Sequence, residues 1–315
     1  MGGVSGGTAL VAPTPARAAA SCAATVGSAS FGTQISPLTA GTVDTTATLN
    51  FSCSGLTPGI PISLCPNLDG GSAGGDGAGG RYLKTAGGIS LPFQIYQDSG
   101  RSQPWGSSSL LVFGTVPTIT ATPGLGGTIN VNRTLYARIT TQVTTSPGTY
   151  TSDFSGQNFF WGLNLLTCAG VTVGSSVVPA TFTFSATLVP DCQVAASALN
   201  FGTVGVLTAN RDSSTSLNVT CTSGTTYNVG LDNGLTGAGP VSRQMKMGAE
   251  TVTYGLYKNN ARDQPWGLVG QGAGFVVGGA GTGSAQPLTV YGRVPPQTTP
   301  SPGPYADTVV ATVTY

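Results

Sequence analysis

The sequence predicts an all-β protein of two tandem antiparallel β-sandwich domains. Three observations carry this: a composition suited to short strands and turns, an even set of cysteines, and an internal repeat. The 315 residues include 48 glycines and 21 prolines among abundant Thr and Val, the make-up of short strands joined by tight turns. An apolar fraction of 39% is enough to fill cores, and the length suits two domains. Aromatic and β-branched residues recur along the whole chain, which argues against disorder. No amphipathic helix stands out, and no run of about 18 apolar residues exists that would cross a membrane as a helix.

Charge narrows the function. Charged residues make up 7% and the formal net charge is +1, too little basic character to hold a nucleic-acid backbone. The chain has no histidine and a single glutamate, Glu250, so the commonest acid–base groups are missing. Its ten aspartates and Lys84, Lys246 and Lys258 show neither a nucleophile motif nor supporting spacing. The expectation is a protein that is not an enzyme and uses no cofactor.

The six cysteines contain no Cys-x-x-Cys pair, so a zinc site is not expected. Disulfides are, and they require an oxidising compartment. Ala16-Arg17-Ala18 ahead of Ala19-Ala20 reads as a small-residue signal-peptidase site, although a basic n-region is missing before it. Residues 1–20 are expected to be the remnant of a signal peptide, or else a disordered tail.

The repeat is the strongest signal. Copy one opens with Cys22 and Phe31-Gly32-Thr33, copy two with Cys192 and Phe201-Gly202-Thr203, nine positions from Cys to Phe in both. An alternating strand ending in cysteine follows: Ala47, Leu49, Phe51 and Cys53 against Leu217, Val219 and Cys221. Period-two alternation puts these side chains on one core-facing side. Arg81 and Arg243 come next. Then Tyr96, Arg101 and Gln103-Pro104-Trp105-Gly106 match Tyr257, Arg262 and Gln264-Pro265-Trp266-Gly267 at identical spacing. Tyr136-Ala137-Arg138-Ile139 matches Tyr291-Gly292-Arg293-Val294, and a Pro-Gly-x-Tyr element ends at Tyr150 and at Tyr305. Because they repeat, Cys22 is paired with Cys53 and Cys192 with Cys221, each closing a loop worth about 3 to 4 kcal/mol. Cys65 and Cys168 occur in copy one alone and are left to pair with each other. Trp105, Trp266, Arg101 and Arg262, shared by both copies, read as structural, the arginines held by local backbone or carboxylates.

At these landmarks the sequence resembles the spore coat U domain family, which includes subunits of archaic chaperone–usher pili. The residues that carry the resemblance are the early cysteine with Phe-Gly-Thr, the Tyr…Arg…Gln-Pro-Trp-Gly element, and the terminal Pro302-Gly303-Pro304-Tyr305-Ala306-Asp307-Thr308-Val309 strand. It covers both copies, about 21–189 and 190–315, and implies immunoglobulin-like, pilin-type sandwiches. Two tandem copies look like a two-domain tip adhesin, with an N-terminal adhesin domain and a C-terminal pilin domain. The resemblance implies export through the periplasm to the cell surface, at the pilus tip. It implies three partners: a periplasmic chaperone, an outer-membrane usher and the N-terminal donor strand of the adjacent pilin. The second domain would be an incomplete sandwich, with Val309, Ala311, Val313 and Tyr315 on the edge that the donor or chaperone meets.

The residues themselves reach part of this. After Tyr150, copy one continues with Phe182, Phe184, Ala186 and Leu188 in clean alternation, whereas copy two has few residues after Tyr305. In one alignment residues 181–189 supply a last strand that copy two lacks; in the other they match 309–315, and 155–180 are an insertion. The first is the expectation. A sandwich short of one strand exposes an apolar groove and unpaired backbone, which invites strand addition. Residues 1–20 lack the alternating apolar pattern of a donor, so this subunit is expected to cap its fibre.

Segments found in copy one alone are the candidate binding loops: Leu110-Leu111-Val112-Phe113, the aromatic run Phe159-Phe160-Trp161, and 56–64 around Pro58-Gly59. Exposed at loop tips, such side chains would attach to abiotic or host surfaces, each buried ring contributing about 1.5 to 3 kcal/mol. Tip adhesins of the resembling pili use apolar fingers of this sort. The competing reading makes these runs ordinary buried strands. The Gly-rich segment 70–80 with Asp69 and Asp76 reads as a flexible hairpin loop rather than a calcium repeat. Two other classes stay open: a structural coat or fimbrial subunit without adhesive role, and an outer-membrane β-barrel.

Overall fold

The computed structural model describes residues 19–39, 41–108, 110–141, 144–163, 168, 176–237 and 239–315. The expected leader, 1–20, lies outside these but for its last two positions. The architecture is nearly all-β, in two sets of strands. The first set is β1 (Ser21–Val26), β2 (Ala29–Ser30), β3 (Thr42–Ser54), β4 (Ile62–Pro66), β5 (Arg81–Lys84), β6 (Ser90–Tyr96), β7 (Ile119–Ala121), β8 (Ile129–Thr140), β9 (Gly148–Leu163) and β10 (Ser176–Leu188). The second is β11 (Cys192–Ala196), β12 (Arg211–Cys221), β13 (Thr226–Leu231), β14 (Arg243–Met247), β15 (Glu250–Tyr257), β16 (Val277–Ala280), β17 (Gln286–Val294) and β18 (Ala311–Thr314).

Alternation builds the cores. In β3, Ala47, Leu49, Phe51 and Cys53 are buried, while Thr46, Thr48, Asn50 and Ser52 between them are exposed. Each set of strands encloses its own apolar cluster, centred on residues such as Phe51, Phe93 and Phe154 in the first and Val219, Val229 and Trp266 in the second. Apolar side chains therefore point inward and polar ones outward, the reverse of a membrane barrel.

The two sets repeat one topology. The order β1-β3-β8-β6-β5 in the first recurs as β11-β12-β17-β15-β14 in the second. Likewise β4 pairs with β7 and β9, while β13 pairs with β16 and β18. Even single bridges recur, Lys84↔Thr151 as Lys246↔Ala306. Disulfides join Cys22 to Cys53 and Cys192 to Cys221, directly opposite residues of paired strands, and a third joins Cys65 to Cys168.

Two elements, β10 and the two-residue β2 beside it, have no counterpart among the described residues. β10 pairs antiparallel with β9 along its length, from Ser176↔Trp161 to Leu188↔Gly148. Its other edge runs parallel to β2, through Phe184↔Ala29 and Ser185↔Ser30. This parallel contact departs from the expected all-antiparallel sandwich, and it arises because β10 slots between two edges that already run in opposite directions. Phe182, Phe184, Ala186 and Leu188 all face the core and are buried. Among the described residues, no strand holds the equivalent place in the second set.

The Gly-rich segment is packed rather than a free hairpin. Gly70 and Gly75 lie against the Phe113 ring and Gly71 against Phe154, with no room for a Cβ. Asp76 accepts the amides of Ala78 and Gly80 within its own turn.

Candidate functional site

Two features differ between the copies, and both are candidate sites. The first is a groove of about 610 Å³ in the second set, between residues 196–201 on one side and 305–311 on the other. Its floor includes Leu217, Leu231, Tyr254, Leu256 and Val290. In the first set, β10 occupies the same place. There the Phe31 amide donates to Ser185 O at 2.8 Å and the Ile35 amide to Thr187 O at 3.2 Å. Among the described residues, the matching Phe201 amide has no backbone acceptor. Burial follows the missing strand: Phe31, Tyr150 and Phe154 are buried, whereas Phe201, Tyr305 and Val309 are only half-buried.

Of the expected edge residues, Val309 and Ala311 line this groove. Val313 sits opposite Val229 and packs on the second core, and Tyr315 is exposed beyond the end of β18. β18 is an edge strand, bonded to β13 on one side only.

The groove walls are braced by polar contacts. The Tyr254 hydroxyl donates to Asp307 at 2.7 Å; burial, then this bond, pushes its pKa up. The Tyr305 hydroxyl lies 2.8 Å from both Glu250 Oε2 and Ser301 O. Desolvation and the Glu250 partner push the phenol up to about 12, while the Tyr305 and Ser301 bonds hold the Glu250 carboxyl below its usual value. With the phenol pushed up and the carboxyl pushed down, Tyr305 and Glu250 stay a neutral donor and an anionic acceptor through the neutral range.

The second feature is one end of the first set. β4 and β7 are in register at Ile62↔Ala121, and β4 and β9 at Ile62↔Leu163. Their continuations run off the sheet together: the Leu56 amide donates to Gly127 O and the Gly59 amide to Pro123 O, each at 3.0 Å. At this end Leu125 is 99% exposed, Val177 49% and Ile60 40%. The Cys65–Cys168 disulfide ties β4 to the β9–β10 connection, packed against Val116 and Phe160. The rest of that connection, 164–167 and 169–175, lies outside the described residues.

The aromatic run is corrected. Phe159 and Trp161 are buried, facing the core from β9, and Phe160 is half-buried beside the disulfide. Strand alternation explains this: Phe159 and Trp161 are two positions apart in β9 and so share the face that packs on the core. Phe113 is also buried, its ring 4.6 Å from the Arg81 guanidinium. Leu110, Leu111 and Val112 are exposed on a 3-10 turn, Leu111 at 77%. Leu125 was not among the expected residues; Pro123-Gly124-Leu125-Gly126-Gly127 was the available signal, a leucine among turn formers with no alternating partner.

Among the described residues, no group of three or more Cys, Asp or Glu could hold a metal, and no helix is long and apolar enough to cross a membrane.

The fold defines a disulfide-bonded tandem sandwich, one copy closed and one open. Residues 7–155 and 178–312 match the Spore Coat Protein U domain, and the chain belongs to that family. It is 38% identical over 133 aligned residues to Protein U of Myxococcus xanthus, covering 37% of this chain and 71% of that one. In fold it resembles a chain from the pre-assembly complex of the CsuC chaperone and the CsuE tip adhesion subunit, from the archaic chaperone–usher Csu pili of Acinetobacter baumannii. The TM-score is 0.55 at 19% identity, over 94% of this chain and all of that one.

Proposed function

We propose that this protein is a non-enzymatic adhesin of a chaperone–usher pilus, exported through the periplasm and carried at the fibre tip on the cell surface. Residues 21–189 form the adhesin domain and 190–315 the pilin domain. The observation that carries the reading is the contrast between one sandwich filled by its own β10 and one whose matching groove is empty of any described strand. An apolar groove beside unpaired backbone binds an extended strand, since only a strand supplies both side chains and hydrogen bonds. A periplasmic chaperone would hold this groove first, an outer-membrane usher would mediate exchange, and the N-terminal strand of the adjacent pilin would fill it finally.

Surface binding falls to the exposed apolar end of the first domain, with Leu125 and Ile60 as contacts, and to Leu110, Leu111 and Val112 on their separate turn. Exposed leucines at loop tips favour abiotic or other apolar surfaces. The test replaces Ile60 and Leu125 together by Ser, and separately Leu110 and Leu111, in cells that assemble the pilus. Adhesion to polystyrene is expected to fall with the Ile60/Leu125 pair at unchanged pilus number. Unchanged adhesion in both variants would favour a structural coat or fimbrial subunit instead.

A further inference from the structure

The first copy specifies what the second copy's groove selects, an inference that rests on the groove reading above. We infer that the incoming strand carries, from its N- to its C-terminus at alternate positions, two bulky apolar residues, then a small residue, then an aliphatic one. Tyr305 imposes the small residue.

β10 is the template. Phe182 stacks on Phe154, ring centroids 4.9 Å apart and 5° from parallel. Phe184 sits among Phe93, Phe31 and Phe154, at 5.7, 6.1 and 6.1 Å. Ala186 lies opposite Tyr150, and Leu188 opposite Gly148. The shared topology carries these positions over. Val309 replaces Phe154, Phe201 replaces Phe31, Tyr254 replaces Phe93, Tyr305 replaces Tyr150 and Gly303 replaces Gly148. Phe201 and Tyr254 are already in edge-to-face contact at 5.9 Å, so the seat for a Phe184-like side chain exists. With Val309 in place of a phenyl ring, the first bulky position is roomier than its template.

The small position follows from how the tyrosine is held. Tyr150 donates to Ser146 O at 2.6 Å, and Tyr305 lies 2.8 Å from Ser301 O, four residues back in each case. Glu250 adds a second anchor to Tyr305. A ring fixed at its far end cannot swing aside for a bulky side chain opposite it, whereas Phe154, which has no hydroxyl anchor, stacks flat on the Phe182 it faces. In copy one, Tyr150 and the Ala186 facing it are both buried, so the residue that the anchored ring meets there is a small one. The direction is also set: antiparallel to 305–311 and parallel to 199–203, as β10 is to β9 and β2.

The experiment uses a fluorescein-labelled synthetic peptide of residues 178–189 and the purified full chain, with binding read by anisotropy. The peptide is expected to bind, and its Ala186→Phe form to bind at least about tenfold more weakly, as overpacking a fitted site does. Against the Tyr305→Ala chain the two peptides should bind alike, while Tyr305→Phe, which keeps the ring but loses both hydroxyl anchors, should discriminate less than the unmodified chain. Equal affinity of both peptides for the unmodified chain overturns the inference and leaves the groove reading standing. If neither peptide binds, the groove reading falls with it. Should Tyr305→Ala fail to fold, the peptide pair on the unmodified chain decides alone.

Discussion

Two buried arginines show how each copy ties its interior together. Arg81 is fully buried and donates to Asp69 O at 2.7 Å and to Leu68 O and Trp105 O at 2.8 Å. Arg243 repeats this, donating to Asp232 O at 2.7 Å, Trp266 O at 2.8 Å and Leu231 O at 3.2 Å. Burial lowers both pKa values, that of Arg81 to about 9, with Asp69 opposing the shift; both stay charged at neutral pH. A planar five-donor fork satisfies carbonyls from separate loops, which lysine cannot do. Arg243→Lys is expected to leave buried acceptors unpaired and to cost about 1 to 3 kcal/mol, read by urea denaturation.

A second duplicated set sits on the surface and responds to pH. Arg138 and Arg101 flank Asp44, and Arg293 and Arg262 flank Asp212. Hydrogen bonds from Arg138 and Arg293, then the flanking charges, hold these carboxyls below their ordinary value of 3.8. A depressed folded pKa means that the contribution is complete above the unfolded value, about 3.9, and is lost as pH falls through the lower folded one. The carboxylates are 39% and 37% exposed, so solvent screening keeps the effect small. Melting temperatures between pH 5 and 2 should converge for the parent and the Asp44→Asn/Asp212→Asn variant at the acid end. A gap that persists unchanged at pH 2 would contradict the assignment.

At the scale of elements, β10 decides whether a copy is closed. The same phenylalanine position is buried as Phe31 beneath β10 and half-buried as Phe201 beside the groove. Truncating Phe184 to Ala removes a ring from a packed aromatic cluster and should cost about 3 to 5 kcal/mol in the first transition. Phe201→Ala should cost clearly less, because its ring is already partly solvated. Equal losses, measured by denaturation of each variant, would mean that the two grooves are filled alike. The role of β10 was legible in the sequence, since Phe182, Phe184, Ala186 and Leu188 alternate without a break. Its partner was not, because alternation fixes the face of a strand and says nothing about which edges it meets. The aromatic run misled for a related reason. Phe159-Phe160-Trp161 has no polar residue to mark an outer face, and what covers each face, the core on one side and the Cys65–Cys168 disulfide on the other, is invisible in one dimension. Leu125 is a single apolar residue with no alternation around it, so only the turn formers on either side mark its place at a loop tip.

At the scale of the molecule, the connection between the copies is short and bonded at both ends. β10 ends at Leu188 and β11 starts at Cys192. Between them the Val189 amide donates to Ile35 O at 2.9 Å, and Ser36 Oγ donates to the Asp191 carboxylate. On the other side the Asp191 amide donates to Thr222 Oγ1 at 3.2 Å, and the Thr222 amide to Asp191 O at 2.9 Å. Pro190 adds a fixed φ. The strand that closes the first sandwich thus leads straight into the disulfide-bonded strand that opens the second. A pull applied through the second copy would load β10 along its axis, in shear against its partners on both edges. Strands loaded this way must break many hydrogen bonds together, whereas peeling breaks them singly. Inserting Gly-Gly-Ser-Gly after Pro190 would decouple the copies without touching either core. Thermal stability of the insertion variant should match that of the parent, while small-angle scattering should report a broader distribution of inter-domain distances. If the parent already shows that broad distribution, the bonds made by Val189 and Asp191 do not fix the joint, and a pull through the second copy does not load β10 in shear.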